Sequence, residues 1–190
     1  MSQPARNPFS IIPMASPNFD SRRSRRLVAI VLHGTGSNDV FEVLARLRNP
    51  ASRASTHYLV DRDGQVYQLV ANEDRAWHAG ACRLHGQVLD LDEHSIGIGV
   101  VGDGHEEPPY TQAQYASLIA LVSGLVEEYG TIPLRNVVRH GDVAMGRGDG
   151  PRGSFDFDSV IHGVRETRKT EAAVPDDTPA SKQAAPLPGV

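Results

Sequence analysis

The order of apolar and polar positions divides the chain into a patterned middle and two unpatterned ends. Leu27-Val28-Ala29-Ile30-Val31-Leu32 is a continuous apolar run closed by His33, which predicts a strand buried on both faces. Ser37-Asn38-Asp39 then offers side chains that accept from the free N–H groups of a first helical turn, and Pro50 cannot continue a helix. A helix ending near Arg48 is predicted between them. From His57 to Val70 two β-rich runs flank Asp63-Gly64, a pair suited to a tight reversal, so the segment reads as a hairpin. Ser95 to Val101 alternates β-branched residues with glycine, as expected of an interior strand that another backbone or a ligand approaches closely. Tyr115, Leu118, Ile119, Val122, Leu125, Val126 and Tyr129 recur at intervals of three and four, which predicts a helix from Thr111 to Tyr129. Thr111 and Gln114 have capping-box spacing at its start, and Gly130 stops it. Val137 to His140 reads as a short strand running into a glycine-rich loop.

Strands and helices in this order predict an α/β fold, a mixed central β-sheet flanked by α-helices. Residues 1–24 carry Pro, Ser, Asn and Arg without periodicity and read as a flexible N-terminal arm. Residues 169–190 are rich in Ala, Pro, Asp and Lys, too poor in apolar area to offset chain entropy, and read as a disordered tail. That leaves 25–168 as the single domain, with no internal repeat.

Composition narrows the function classes. The formal charge of −4 gives no broad positive field, so no nucleic-acid partner is expected. Cys82 is the sole cysteine and cannot form an internal disulfide, so packing, or a metal, must supply the stability. Arg22, Arg23, Arg25 and Arg26 precede the apolar run in superficial likeness to an export signal. That run is only six residues, however, and has no small-residue cleavage site after it. No segment has the length to span a bilayer, so no membrane insertion is expected. The expectation is a cytoplasmic protein, or one released without a recognisable signal; its oligomeric state has no signature in the sequence.

Two histidines hold telling positions, His33 at the end of the first strand and His140 at the end of the last. The glycines after His140 let Asp149 fold back toward it. Two imidazoles and a carboxylate with a fourth position open describe a catalytic Zn2+ site, in which the ion acidifies a water and polarises a carbonyl. The competing reading from spacing alone is that each histidine is a hydrogen-bonded core residue.

Five blocks in order extend this picture. They are Val31-Leu32-His33-Gly34-Thr35-Gly36-Ser37, Ser55-Thr56-His57-Tyr58-Leu59-Val60-Asp61-Arg62-Asp63-Gly64, Arg75-Ala76-Trp77-His78-Ala79-Gly80, Ser95-Ile96-Gly97-Ile98-Gly99-Val100 and Arg139-His140-Gly141-Asp142-Val143-Ala144. Over roughly residues 27–160 the chain resembles the type 2 N-acetylmuramoyl-L-alanine amidases. That family includes the anhydro-muramyl-peptide amidases, the amidase-type phage lysozymes and the peptidoglycan recognition proteins. The resemblance implies a peptidoglycan recognition protein-like amidase fold. It also implies zinc-dependent hydrolysis of the amide between N-acetylmuramic acid and L-alanine, in peptidoglycan or its muramyl-peptide fragments. By the same resemblance His33 and His140 are zinc ligands. The third ligand falls on Asp149, although a gap-free alignment through Pro151 and Phe155 would put Gly150 there.

The sequence departs from the family pattern at three functional positions. Gly99 stands where the anhydro-muramyl branch has a glutamate acting as general base, and Thr56 stands where the phage branch has a tyrosine. No lysine lies between the second and third ligands, which leaves Arg147 to hold a developing oxyanion. His78 or Glu73 is left to move protons, with Glu73 as a solvated loop residue the alternative. Trp77, His78 and Thr56 are candidates for substrate contact, and a plain core position is the competing reading of Trp77. Asp142 either orients its loop or touches substrate. His57 is expected under the hairpin, His85, His94, His105 and His162 in solvent, and Cys82 without a chemical role. The departures at Gly99 and Thr56 keep open a second function, a non-catalytic peptidoglycan-binding module with a degenerate site.

Overall fold

The computed structural model describes residues 10–105, 109–146 and 149–173. Its elements run β1 (Ile11–Pro13), β2 (Phe19–Ser21), β3 (Ala29–Gly34), α1 (Val40–Arg48), β4 (Tyr58–Val60), β5 (Val66–Gln68), β6 (Asp74–Ala76) and β7 (Ala81–Leu84). They continue with β8 (Gln87–Asp90), α2 (Leu91–His94), β9 (Ser95–Val100), α3 (Gln112–Tyr129), β10 (Val137–Arg139), α4 (His140–Val143) and α5 (Phe157–Ala173). Six strands form the main sheet in the order β1-β5-β4-β9-β3-β10. Only the β4–β5 hairpin is antiparallel within it, so the sheet is mixed, as the element order predicts.

Local chemistry fixes the elements read from the sequence. Asp39 caps α1 by accepting from the N–H of Phe41 at 2.8 Å. Thr111 and Gln114 close a reciprocal capping box on α3, and Gly130 ends that helix in the left-handed region at φ 50°. Alternation along β3 sends Ile30 and Leu32 into a core with Leu118, Val122 and Val126 of α3 and Val160 and Val164 of α5. Ala29 and Val31 point the other way, toward Cys82, Leu84 and Leu91. His33 follows them on that second face. Among the described residues no helix is long and apolar enough to cross a membrane.

Both ends differ from the sequence expectation. From Ile11 the supposed arm is part of the fold: β1 pairs in parallel with β5, and β2 pairs antiparallel with β6. Its polar side chains satisfy carbonyls elsewhere. The Asn18 amide donates to the carbonyls of Leu47, Asn49 and Ala54, and the Arg22 guanidinium to those of Asp74, Asp92, Glu93 and Ser95. Such long-range partners leave no period in the sequence, which is why the segment reads as loose. At the other end α5 runs past position 169 to Ala173, and residues 174–190 lie outside the described residues. Phe157, Val160, Ile161 and Val164 carry its three-and-four spacing, and Gly163 lets it close on Ile119 of α3.

Candidate metal centre

Sheet register brings the two strand-end histidines together. β10 pairs in parallel with β3 so that Arg139 lies beside Leu32, which sets the next residues, His140 and His33, side by side. On the other flank of β3, His33 is in register with Gly99 of β9. The loop bearing Asp149 is laid across these strand ends by backbone contact. The N–H of Gly34 donates to the Asp149 carbonyl at 2.5 Å, and a Cβ on Gly150 would stand 2.9 Å from the Gly141 nitrogen. Side chains at these glycines would hold the loop away.

The result is a convergence of three donors. His33 Nδ1 lies 2.9 Å from Asp149 Oδ1, and His140 Nδ1 contacts the same oxygen. One candidate ligand atom from each residue lies within 4.8 Å of the others, and the two rings are 4.8 Å apart between centroids. The imidazoles are almost fully covered, with side chains 8% and 12% exposed, whereas Asp149 is 63% exposed, so the carboxylate sits at the mouth of the site. Burial pushes the His33 pKa down, opposed by the hydrogen bond and charge of Asp149. Burial alone would raise the pKa of Asp149, but hydrogen bonds from His140 and His33, with their charges, hold its carboxyl far below the usual range. Two imidazole nitrogens and one carboxylate oxygen, open to a cleft, are a donor set that fits zinc.

The cleft has a volume of about 330 Å³ and is lined by His33, Thr56, Trp77, His78, Gly99 and Arg46, among others. Trp77 is a half-buried wall whose backbone N–H is tied to Ser55 Oγ at 2.9 Å. Thr56 is buried, and its hydroxyl has no hydrogen-bond partner among the described residues. At Gly99 a Cβ would meet Leu59 Cδ1 at 3.0 Å and then Thr35 and Thr56 at longer range, so the position opens onto the cleft beside His33.

The two residues expected to act as base are placed differently. His78 lies behind His33, its Nδ1 3.0 Å from His33 Nε2, the nitrogen turned away from Asp149, and its Nε2 3.4 Å from Ser95 Oγ. Burial, then the neighbouring His33 and His57, push the His78 pKa well below its ordinary value. Glu73 is exposed, and its charge bears on Tyr58 and Tyr129, which pack with the α3 core on the opposite face of the sheet. The structure therefore does not bring Glu73 to the cleft. Arg147 lies outside the described residues. Asp142 is exposed and paired with Arg139 at 2.8 Å.

His57 is fully buried and accepts the Gly97 N–H on Nδ1 at 2.9 Å; burial, then the nearby Arg22, lower its pKa to about 3. Cys82 is buried with its thiol pushed up to about 11, which keeps it from acting as a thiolate. Sequence reasoning missed Ser95, Asp92 and Gly97. Asp92 Oδ1 accepts the consecutive backbone N–H groups of His78, Ala79 and Gly80 at 2.8, 2.6 and 2.9 Å. A Cβ on Gly97 would lie 2.7 Å from His78 Cγ. The glycine alternation in β9 signalled a close neighbour without identifying it.

Fold and site together define an α/β domain with a candidate mononuclear metal centre at the carboxyl ends of parallel strands. The family model for N-acetylmuramoyl-L-alanine amidases matches residues 23–153, and the chain belongs to that family. It is 34% identical over 113 residues to the 1,6-anhydro-N-acetylmuramyl-L-alanine amidase AmpD of Haemophilus influenzae, a match spanning 60% of this chain and 60% of that relative. The crystal structure of a selenomethionine derivative of AmpD is similar at TM-score 0.69 and 28% identity, covering 80% of this chain and 93% of that one. The amidase AmiD from Escherichia coli has been solved in complex with the substrate anhydro-N-acetylmuramic acid-L-Ala-D-gamma-Glu-L-Lys. It is similar at TM-score 0.63 and 30% identity, over 75% of this chain and 60% of that one. The amidase fold implied by the five sequence blocks is thus the fold observed.

Proposed function

We infer that this chain is a zinc-dependent amidase that cleaves the bond between the lactyl group of N-acetylmuramic acid and L-alanine in muramyl peptides. The observation that carries the reading is the single Asp149 oxygen faced by Nδ1 of both His33 and His140 at the mouth of an open cleft. Family membership and the muramyl-peptide complex of AmiD support the substrate class. His33, His140 and Asp149 would hold zinc, which when bound supplies a Lewis acid and lowers the pKa of a water toward neutrality. Trp77 would form the wall against which sugar or peptide packs, and the unpartnered Thr56 hydroxyl would meet a polar group of the substrate. Arg147 is retained, from its place in the sequence, as the cation for negative charge developing on the carbonyl oxygen.

A second reading is favoured by one observation. Among the described residues lining the cleft, Asp149 is the only carboxylate, and Gly99 occupies the register position beside His33. A site without a further proton acceptor suits a binding module that holds muramyl peptides without cleaving them. Incubating the full chain with an anhydro-muramyl tripeptide, with and without added zinc, separates the two. Release of free tripeptide that depends on zinc is expected; binding without release at every zinc level would leave the binding module.

A further inference from the structure

Among the described residues lining the cleft, Arg46 is the only lysine or arginine. It stands in the last turn of α1 and reaches the segment that leaves the carboxyl end of β3, where its Nη2 donates to the Thr35 carbonyl at 2.6 Å. That anchor is itself held, because the Thr35 hydroxyl accepts the Gly102 N–H at 3.0 Å. A guanidinium has five N–H donors, and this bond takes one of them. Glu42, four residues earlier on α1, has the spacing from which a glutamate pairs with an arginine. Its carboxylate instead accepts from the Ser37 hydroxyl at 2.6 Å, and among the described residues no ion pair takes up Arg46. The cleft therefore carries a positive charge that a backbone carbonyl aims and that no described carboxylate opposes.

We propose that Arg46 is a specificity-determining residue that grips the free α-carboxylate of a γ-linked glutamate following the alanine of the stem peptide. The proposal rests on the muramyl-peptide reading of the cleft and names the part of the ligand that Arg46 selects. The planar fork of a guanidinium matches the two oxygens of a carboxylate, and charge strengthens both hydrogen bonds. In the peptide of the AmiD complex, glutamate follows alanine and is joined onward through its γ-carboxyl, which leaves its α-carboxylate free. The spans agree. That carboxylate lies less than two residues from the scissile nitrogen, and Thr35, where Arg46 is anchored, stands two residues beyond His33; each span is at most ~7 Å. A carboxylate on the third residue lies farther out, beyond the glutamate side chain. Leu47, Ala54 and Trp77 make the neighbouring wall uncharged, so Arg46 is the feature of that wall that separates an acid from its amide.

The test compares two ligands that differ only at this group: anhydro-muramyl-L-Ala-D-γ-Glu-L-Lys and its analogue with a carboxamide in place of the glutamate α-carboxylate. Binding of each to the metal-free full chain is measured by titration calorimetry near neutral pH, where no cleavage intervenes. The unaltered chain should bind the acid about 5–10-fold more tightly than the amide, and the preference should shrink as salt is raised. Arg46→Gln, which keeps a donor for the Thr35 carbonyl but no charge, should bring the ratio close to one. Arg46→Lys should keep part of it, since a point charge attracts a carboxylate without matching its two oxygens. Because each protein supplies its own ratio, a variant that binds both ligands less well still gives an answer. Equal affinity for acid and amide in the unaltered chain would overturn the proposal, and so would a preference that survives intact in Arg46→Gln. Binding without discrimination would leave the muramyl-peptide reading standing, whereas failure of both ligands to bind, with or without zinc, would defeat that reading and the proposal with it.

Discussion

The two faces of strands β3 and β9 do opposite work. Toward α3 and α5, Ile30, Leu32, Ile96, Ile98 and Val100 are wholly buried and fill the space between sheet and helices. On the other face, the same strands carry Ser95 at the start of β9, Gly97 in its middle, and Gly99 beside His33 at the carboxyl ends: a hydroxyl, an imidazole and two positions with no side chain. The first face is defined by volume. The second is defined by space left open and by the hydrogen bonds that cross it. A core face tolerates no void, because a lost methylene costs transfer energy and leaves a cavity. The cleft face needs vacancy, since His78 occupies the room that Gly97 leaves and the opening beside His33 is what Gly99 leaves.

Substitutions should therefore separate ligand binding from stability. The largest effect is expected of Asp149→Ala, which removes the one carboxylate of the triad. Stoichiometric zinc uptake should be lost in equilibrium dialysis, while the metal-free thermal midpoint stays close to that of the unaltered chain, because this side chain is largely exposed. A large drop in metal-free stability would blur the distinction between the faces. Ile98→Ala should do the reverse: about 2–5 kcal/mol of stability lost in urea unfolding, with zinc affinity retained. Gly99→Glu adds a carboxylate on the cleft face beside His33. It should raise the rate of muramyl-peptide cleavage at a stability cost of about 1–3 kcal/mol, because its Cβ meets Leu59 Cδ1 at 3.0 Å. An unchanged or lower rate would show that the missing glutamate does not limit this cleft.

The smallest expected effect is a slope with pH. His57 has a pKa near 3 in the folded chain against an ordinary 6.5, so between those values the unfolded chain binds the extra proton. Its contribution is fully present above the unfolded pKa and is lost as pH falls, by up to ~1.4 kcal/mol per pH unit. His57→Asn keeps an acceptor for the Gly97 N–H but cannot titrate. Urea unfolding of metal-free protein between neutral and mildly acidic pH should be shallower in pH by one proton for this variant. Parallel curves would mean that the His57 charge is tolerated in the fold.

Local signals carried most of the core into view. α3 is legible from its apolar period and both caps, and the β4–β5 hairpin from Asp63-Gly64, because each depends on neighbours within a few residues. Arg22 and Asn18 look like arm residues because their partners lie 29 to 73 positions away. α5 has the right spacing at Phe157, Val160, Ile161 and Val164, but the tail composition that follows obscures it. At the site, His33, His140 and Asp149 stood out because polar groups interrupt apolar strands or a glycine loop. The place of His78 behind His33 depends on the crossing of three segments, which no spacing encodes. The same limit applies to Glu73, whose nearness to Trp77 in sequence does not carry it to the cleft.

X-ray absorption at the zinc edge of the metal-loaded chain reads the centre itself. One zinc per chain is expected, with two imidazole nitrogens at about 2.0–2.1 Å, a carboxylate oxygen at about 2.0–2.2 Å and a further exchangeable light-atom ligand. Failure to retain zinc, or a coordination shell containing sulfur or a third imidazole, would contradict the assignment of His33, His140 and Asp149.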